Sequence, residues 1–149
     1  MINRGIFGTI TKVHDGNTAM IDISGPKAIP IRLSGIDAPE LKQEFGKDSK
    51  ESLESLILGR YVRLRVESVD KYGYTVATIF TIGGTSTSIR QVRNGMAWVY
   101  RKYNNNPSLI RAETRARARK SGIWSSSDLI PPWEFRRREK GKTISTGER

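Results

Sequence analysis

The feature that most constrains this chain is a series of five short runs of strand-forming residues, each bounded by turn-forming residues. A stretch with apolar residues at helical spacing, residues 47–58, follows the third run and ends before Gly59. This order is compatible with a small Greek-key barrel of the OB type. We therefore predict an α+β fold, a five-stranded OB-fold barrel with about three packed helices, its strands lying at residues 6–13, 18–23, 29–33, 61–68 and 74–82.

Two further helices are predicted in the second half of the chain. Residues 88–94 are followed by Gly95, a residue typical of a helix C-terminus. Residues 108–120 follow Asn106 and Pro107, which are typical of a helix N-terminus. The sequence therefore changes from mainly strand to mainly helix after the fifth run.

The length and charge of the chain bound its organisation and its partners. With 149 residues, it is long enough for one domain with a substantial core. We predict a single domain over residues 1–135 and a basic, disordered tail over residues 136–149. Basic residues outnumber acidic ones by 26 to 15, and 13 basic against 5 acidic residues lie in residues 101–149. Such an excess favours a polyanionic partner such as nucleic acid or anionic lipid.

The residue types exclude several kinds of site. Cysteine is absent and His14 is the single histidine, so disulfides, thiolate sites, cysteine nucleophiles and histidine-rich zinc sites are excluded. A metal would need oxygen ligands, which favours calcium, magnesium or manganese. The sequence shows no signal-peptide segment and no apolar run of membrane-spanning length. We expect a soluble protein without membrane association, either cytoplasmic or secreted after loss of a signal.

Two side-chain patterns have both a structural and a functional interpretation. Arg111, Arg115 and Arg119 recur every four residues on the last predicted helix, and we favour a solvated face over a phosphate-binding ridge. The tryptophans are expected to anchor helices to the barrel rather than to stack on bases.

Three loops carry the residues with catalytic chemistry, and barrel topology tends to bring such turns to one rim. A carboxylate, an amide oxygen and a backbone carbonyl can hold a hard cation, which in turn can bind a phosphate oxygen. Arg32 can bind the same phosphate through two N–H groups, and Glu40 can act on a water molecule. The pattern favours phosphodiester hydrolysis by the segments Asp15-Gly16-Asn17, Arg32 with Asp37-Ala38-Pro39-Glu40, and Asp70-Lys71-Tyr72-Gly73-Tyr74.

These segments resemble, in order and separation, the motifs of the thermonuclease, or staphylococcal nuclease-like, family. The resemblance covers roughly residues 5–136. It implies an OB barrel with packed helices and a calcium-dependent nuclease that cleaves DNA and RNA with little sequence preference. Later segments that are similar to the family's C-terminal part are Gly95-Met96-Ala97-Trp98, Gly122-Ile123-Trp124 and Ile130-Pro131-Pro132-Trp133-Glu134.

The resemblance implies a role for each matching residue. Asp37 corresponds to a metal-ligating carboxylate, and Asp15 corresponds to an acid near the metal. Arg32 corresponds to one of two phosphate-binding arginines, and Glu40 to the carboxylate that orients or deprotonates the attacking water. Lys71 and Tyr72 match positions beside the phosphate of a bound nucleotide, and Tyr74 next to them is a third nucleic-acid-binding candidate, whose ring can stack on a base.

Two positions depart from the family pattern. Asn17 stands where the family has a metal-ligating aspartate, so the site loses one negative charge and should bind a cation more weakly. Tyr74 stands where the family has the second phosphate-binding arginine, and a phenol replaces a charged, two-pronged donor. Loss of one such donor typically costs about 3 kcal/mol in the transition state. Arg4, Lys71 or the arginine-rich tail are the candidates for a substitute charge.

Two functions from different classes follow. The first is a weakened or altered metal-dependent nuclease, with calcium as the expected cation and manganese or magnesium as alternatives. The second is a catalytically inactive module of the same fold that binds nucleic acid without a metal requirement, and a nuclease inactivated by deliberate substitution is a variant of it. We favour the enzyme, acting as a monomer, because Arg32, Asp37 and Glu40 have no reason to occur together in a pure binder.

Overall fold

The computed structural model describes residues 5–24, 27–100 and 106–147, with side chains through Lys142. The strands in this part of the chain are β1 (Ile6–Asp15), β2 (Thr18–Asp22), β3 (Ala28–Leu33), β4 (Ile36–Asp37), β5 (Tyr61–Val69), β6 (Thr75–Phe80) and β7 (Trp98–Val99). The helices are α1 (Gly46–Ile57), α2 (Thr87–Arg93), α3 (Pro107–Arg119) and α4 (Pro132–Gly147), with a short 3₁₀ helix at Gly122–Ser125.

Five of the strands close a barrel in the order β1, β2, β3, β6, β5. Neighbouring strands are antiparallel except β3 and β6, which are parallel. The two hairpins that frame the site form at turns in which an aspartate accepts backbone N–H groups: Asp15 from Asn17, and Asp70 from Tyr72 and Tyr74. The predicted five-stranded barrel and the α+β class are confirmed.

The barrel interior is built by the alternation seen in the sequence. On β5, Val62 and Leu64 are fully buried, whereas Tyr61 is 56% exposed on the outer face. Helix α1 packs on β1 and closes the barrel with Leu53 and Ile57, which are both completely buried. Burying a side chain of this size contributes roughly 1.5–3 kcal/mol, so these residues fix the helix in place.

The helical half packs around two tryptophans. Trp98 on β7 and Trp124 in the 3₁₀ helix are buried, with ring centroids 4.4 Å apart. This agrees with their predicted role as packing anchors. Asn106 accepts a hydrogen bond from Ser108 N–H and begins α3 as predicted. In the described part of the chain, no helix has the length and apolar character needed to cross a bilayer.

The structure differs from the prediction that residues 136–149 are disordered. Helix α4 begins at Pro132 and continues through Gly147, across the predicted boundary at residue 135. Proline suits the first position of a helix because the backbone N–H that it lacks would have no partner within the helix there. Glu134 forms ion pairs with Arg137 at 2.6 Å and with Arg138 at 3.0 Å, both one turn further along the helix. Residues 136–147 of the predicted tail are therefore helical in the described structure, and the charged side chains after Glu134 pair with it along the helix.

Candidate active site

Arg32 lies near the end of β3, between Thr18 of β2 and Val76 of β6. Its guanidinium carbon lies 4.5 Å from the centre of the Tyr74 ring, so the tyrosine packs against the charged group. The Nε atom of Arg32 is buried and has no hydrogen-bond partner among the described residues. Arg32 therefore keeps one buried donor without a partner among the described residues, its side chain lines the groove described below, and the Tyr74 ring packs against its guanidinium.

Asp37 and Glu40 lie on the loop that follows β3. Asp37 is on the two-residue strand β4, where it pairs with Trp98, and it is only 8% exposed. Glu40 follows a proline, and its backbone N–H donates to the Gln43 side chain at 2.8 Å. The same Gln43 side chain donates to the carbonyl of Ile130 at 2.9 Å, which ties this loop to the segment before α4.

Arg136 connects the two carboxylates. Its Nη1 and Nη2 atoms donate to the two Asp37 oxygens at 3.2 and 2.6 Å, and Nη1 also donates to Glu40 Oε2 at 2.9 Å. Because one planar guanidinium reaches both side chains, the carboxylates of Asp37 and Glu40 face a common point. Arg136 belongs to the segment predicted to be disordered and was not among the predicted site residues.

The position of Arg136 follows from aromatic packing. The Trp133 ring lies 5.7 Å from the Trp98 ring and 5.9 Å from the Tyr100 ring, in edge-to-face geometry. Trp98 is the strand partner of Asp37, and Arg136 lies three residues after Trp133, on the same helix face. The Trp133 contact therefore directs Arg136 toward Asp37.

The charges at this point influence each other. Burial raises the pKa of Asp37 above its ordinary value, and the ion pair with Arg136 opposes this rise. The hydrogen bonds from Arg136 to Asp37 raise the pKa of the guanidinium, which stays charged. Loss of Arg136 would leave the burial of Asp37 without its main compensation.

The first predicted loop lies beside this cluster. Asn17 is buried, and its Nδ2 donates to the carbonyl of Ile36 at 3.4 Å, so Oδ1 is the Asn17 atom suited to bind a cation. Asp15 Oδ1 accepts the Asn17 N–H at 3.0 Å and shapes the turn. Asn17 and Asp37 line the same groove, whereas Asp15 is outside it.

A buried glutamine fixes this turn from behind. Gln91 of α2 is completely buried, and its Nε2 donates to the carbonyls of Gly16 at 2.8 Å and Ser49 at 3.1 Å. Its Oε1 accepts a hydrogen bond from Ser52 at 2.6 Å. Gly16 packs so closely on α1 that a Cβ atom there would overlap Ser49. The turn that carries Asn17 is therefore rigidly attached to two helices.

The donor set permits only a weak cation site. No group of three or more His, Cys, Asp or Glu side chains arranged for a metal occurs among the described residues. The available protein ligands are the Asp37 carboxylate and the Asn17 amide oxygen, and both Asp37 oxygens are bound by Arg136. These hard oxygen ligands fit calcium, with Arg136 as a competitor for the carboxylate.

The third predicted loop borders the same groove, which has a volume of about 1070 Å³. Lys71 and Tyr72 line it, and Tyr72 is well exposed. Tyr74 lies outside this lining and contacts Arg32 instead. The structure thus gathers Asn17, Arg32, Asp37, Lys71 and Tyr72 along one groove, with Glu40 joined to it through Arg136.

Sequence reasoning missed three residues that shape this site: Arg136, Gln91 and Gln43. Each of them forms a hydrogen bond with a residue at least 39 positions away in the sequence. Gln43 also accepts a hydrogen bond from the nearby backbone N–H of Glu40. The Trp-Glu ending and the run of arginines after it were visible signals for Arg136. Gln91 and Gln43 had no distinguishing signal in the sequence.

Comparison with known proteins finds one family and several relatives. Residues 30–126 match the family described as "Staphylococcal nuclease homologue". A protein of Escherichia coli named "Uncharacterized endonuclease" is 38% identical over 134 residues, which cover 90% of this chain and 87% of the relative. One of Haemophilus influenzae with the same name is 36% identical, covering 88% of this chain and 73% of the relative. "Staphylococcal-like nuclease CAN1" of Arabidopsis thaliana is 35% identical over 77% of this chain and 35% of its own length.

Proposed function

Because this chain belongs to the staphylococcal nuclease family, we propose that it is a metal-dependent nuclease that hydrolyses phosphodiester bonds in DNA or RNA. The relatives named above as endonucleases or nucleases support a nuclease in general. The metal dependence and the roles of individual residues are the parts of the proposal that rest on the site.

The observation that carries the proposal is the double contact of Arg136. Because one guanidinium binds Asp37 and Glu40 at once, the two carboxylates lie close enough together to act on one cationic group, which is Arg136 in this structure. Arg32 lines the same groove as Asp37 and Arg136, and its positive charge lowers the pKa of Asp37. We propose that a phosphate bound there contacts Arg32 and lies beside the two acids, which are the groups that phosphodiester hydrolysis needs.

Each residue of the cluster has a distinct task in this proposal. Arg32 binds a non-bridging phosphate oxygen and offsets the charge that develops in the transition state. Glu40 orients the attacking water and accepts its proton. Asp37 and Asn17 would hold calcium, which would supply Lewis-acid polarisation of the phosphate. Lys71 and Tyr72 contact the nucleotide at the groove edge.

The missing second arginine defines how this site differs from the family pattern. Tyr74 cannot provide a charged donor, but it packs on Arg32 and limits its motion. Arg136 is the arginine nearest to the two carboxylates, and it is held by them rather than by a phosphate. We therefore expect slow turnover, with a loss of about a hundredfold or more relative to a site with two phosphate-binding arginines.

A cleavage assay with the double variant Asn17→Asp, Tyr74→Arg tests the proposal. In the presence of calcium, the unmodified chain should shorten a long DNA or RNA substrate slowly, and the double variant should do so faster. A chelator should stop both reactions. Equal rates in the two proteins would contradict the roles given to Asn17 and Tyr74, and cleavage that persists in the chelator would contradict metal dependence.

A second candidate is a nucleic-acid-binding module without turnover. The ion pairs of Arg136 with Asp37 and Glu40 favour this candidate, because both carboxylates proposed for catalysis are already paired with a positive charge. This protein would bind nucleic acid with a strong dependence on salt and with no need for calcium. In the same assay, it would retain its substrate intact with calcium or manganese present.

A further inference from the structure

The outer face of β5 carries a row of aromatic and basic side chains. The buried side chains of Val62 and Leu64 face the core, so the intervening residues Tyr61, Arg63 and Arg65 face outward. Among these, Tyr61 is more than half exposed. An exposed aromatic ring beside two arginines combines a surface for stacking with positive charge.

The neighbouring strands extend this row into a surface. Arg63 pairs with Phe7 of β1 on one side and with Phe80 of β6 on the other. Its guanidinium lies 4.4 Å from the Phe80 ring centre, and that of Arg65 lies 5.4 Å from the same ring. The Phe7 and Tyr61 rings stack with centroids 5.7 Å apart and an angle of 14° between their planes.

The two arginines on this surface form no ion pair with a carboxylate among the described residues. Arg65 Nη2 donates a hydrogen bond to Thr78 Oγ1 at 3.4 Å. The closest acid on the outer face of β5, Glu67, accepts hydrogen bonds from Ser34 at 2.8 Å and Thr78 at 2.9 Å. The surface is therefore cationic where the aromatic rings are exposed.

This surface is continuous with the candidate active site. Arg65 and Phe80 line the groove that also contains Arg32 and Asp37. A strand of nucleic acid that leaves the scissile phosphate along the groove would reach Arg65 first. It would then meet Arg63, Tyr61 and Phe7 on the outside of the barrel.

We propose that the outer barrel face formed by Phe7, Tyr61, Arg63, Arg65 and Phe80 binds the single-stranded part of the substrate beyond the scissile phosphate. The arginines contact phosphates, and the exposed rings stack on bases without reading their identity. This inference rests on the proposed function, because it assigns a path to the same substrate. It names single-stranded nucleic acid of several nucleotides as the preferred substrate class.

Fluorescence anisotropy in a chelator, where cleavage cannot interfere, tests the proposal. The probes are a labelled thymidine trinucleotide, which fits the groove alone, and an oligothymidylate of about 16 nucleotides, near the upper limit for an OB fold. The unmodified protein should bind the long probe more tightly. Tyr61→Ala should weaken binding of the long probe about tenfold and leave the trinucleotide unchanged, whereas Tyr61→Phe should retain full binding.

Arg63→Gln provides a second, independent variant. It should weaken binding of the long probe and reduce the slope of log affinity against log salt by about 0.7, the value for one phosphate contact on a single strand. Arg119→Gln is the matched control, because it removes the same charge from an exposed position on α3. The control should keep the slope of the unmodified protein.

The outcomes separate this inference from the proposed function. The outer face does not bind the substrate if Tyr61→Ala and Arg63→Gln bind the long probe as tightly as the unmodified protein does. The same conclusion follows if Arg119→Gln weakens binding of the long probe as much as Arg63→Gln does. If Tyr61→Ala instead dissociates a dimer seen by sedimentation, the face binds a second copy of the chain and the proposal is wrong.

If neither probe binds the unmodified protein, the proposed nucleic-acid binding itself is wrong. Loss of trinucleotide binding in Arg32→Gln would support the groove separately.

Discussion

The Arg136 guanidinium binds both carboxylate oxygens of Asp37, across 99 residues of sequence. The cation that pairs with Asp37 in this structure is therefore part of the protein. Any divalent metal at Asp37 has to compete with it.

The first prediction concerns this competition. Arg136→Gln should increase the affinity for calcium about tenfold or more, because a charged hydrogen-bonded partner of Asp37 is removed. Isothermal titration calorimetry with calcium alone measures the change without relying on activity. Arg137→Gln is the control, since Arg137 carries the same charge on the same helix but pairs with Glu134. Unchanged or weaker calcium binding in Arg136→Gln would show that the guanidinium does not exclude the metal.

The second prediction concerns the stability cost of Asp37. Its pKa is raised above 3.8 by burial, so the folded state holds this proton more tightly than the unfolded state does. The Asp37 contribution to the free energy of unfolding therefore falls as the pH rises from about 3.8 through the raised pKa. Asp37→Asn should gain stability relative to the unmodified protein over this range.

Urea unfolding at a series of pH values measures this difference. The advantage of Asp37→Asn should grow with pH and then level off once Asp37 is ionised in both states. An advantage that shrinks with rising pH would mean that the ion pair with Arg136 outweighs burial. The sign of the change in this stability difference with pH therefore shows whether burial of Asp37 or its ion pair with Arg136 has the larger effect.

The third prediction concerns the support of the Asn17 turn. Gln91→Leu should destabilise the fold by roughly 2–3 kcal/mol, because the carbonyls of Gly16 and Ser49 lose a buried donor. Thermal unfolding measures the loss, and Ser125→Ala, which removes an exposed hydroxyl bond to Gly122, should cost much less. A neutral effect of Gln91→Leu would mean that water replaces the lost donor.

The barrel was predictable because its signals are local. The strict alternation of apolar and polar residues in β5 predicts a strand from neighbouring residues alone. In the same way, the Asp-Gly turn at the end of β1 predicts a hairpin. The joint spacing of Arg32, Asp37 and Glu40 marked the site for the same reason. These features do not depend on how distant parts of the chain pack.

The parts that were missed depend on distant packing. Arg136 reaches Asp37 through the packing of Trp133 on Trp98, and the run of arginines in the sequence does not indicate which of them makes this contact. Gln91 has three partners, and all lie on other elements of the fold. A polar residue in a short helix reveals its burial only once the helices around it are placed.

The cleavage rate of Glu40→Gln in calcium tests the central claim most directly, with Glu51→Gln as a control that removes the same charge from an exposed position on α1. If Arg32, Asp37 and Glu40 converge on one phosphate, Glu40→Gln should lower the rate at least a hundredfold and Glu51→Gln should keep the rate of the unmodified protein. Equal calcium-dependent rates in all three proteins would contradict the account, because the water would then be activated by a group outside this cluster.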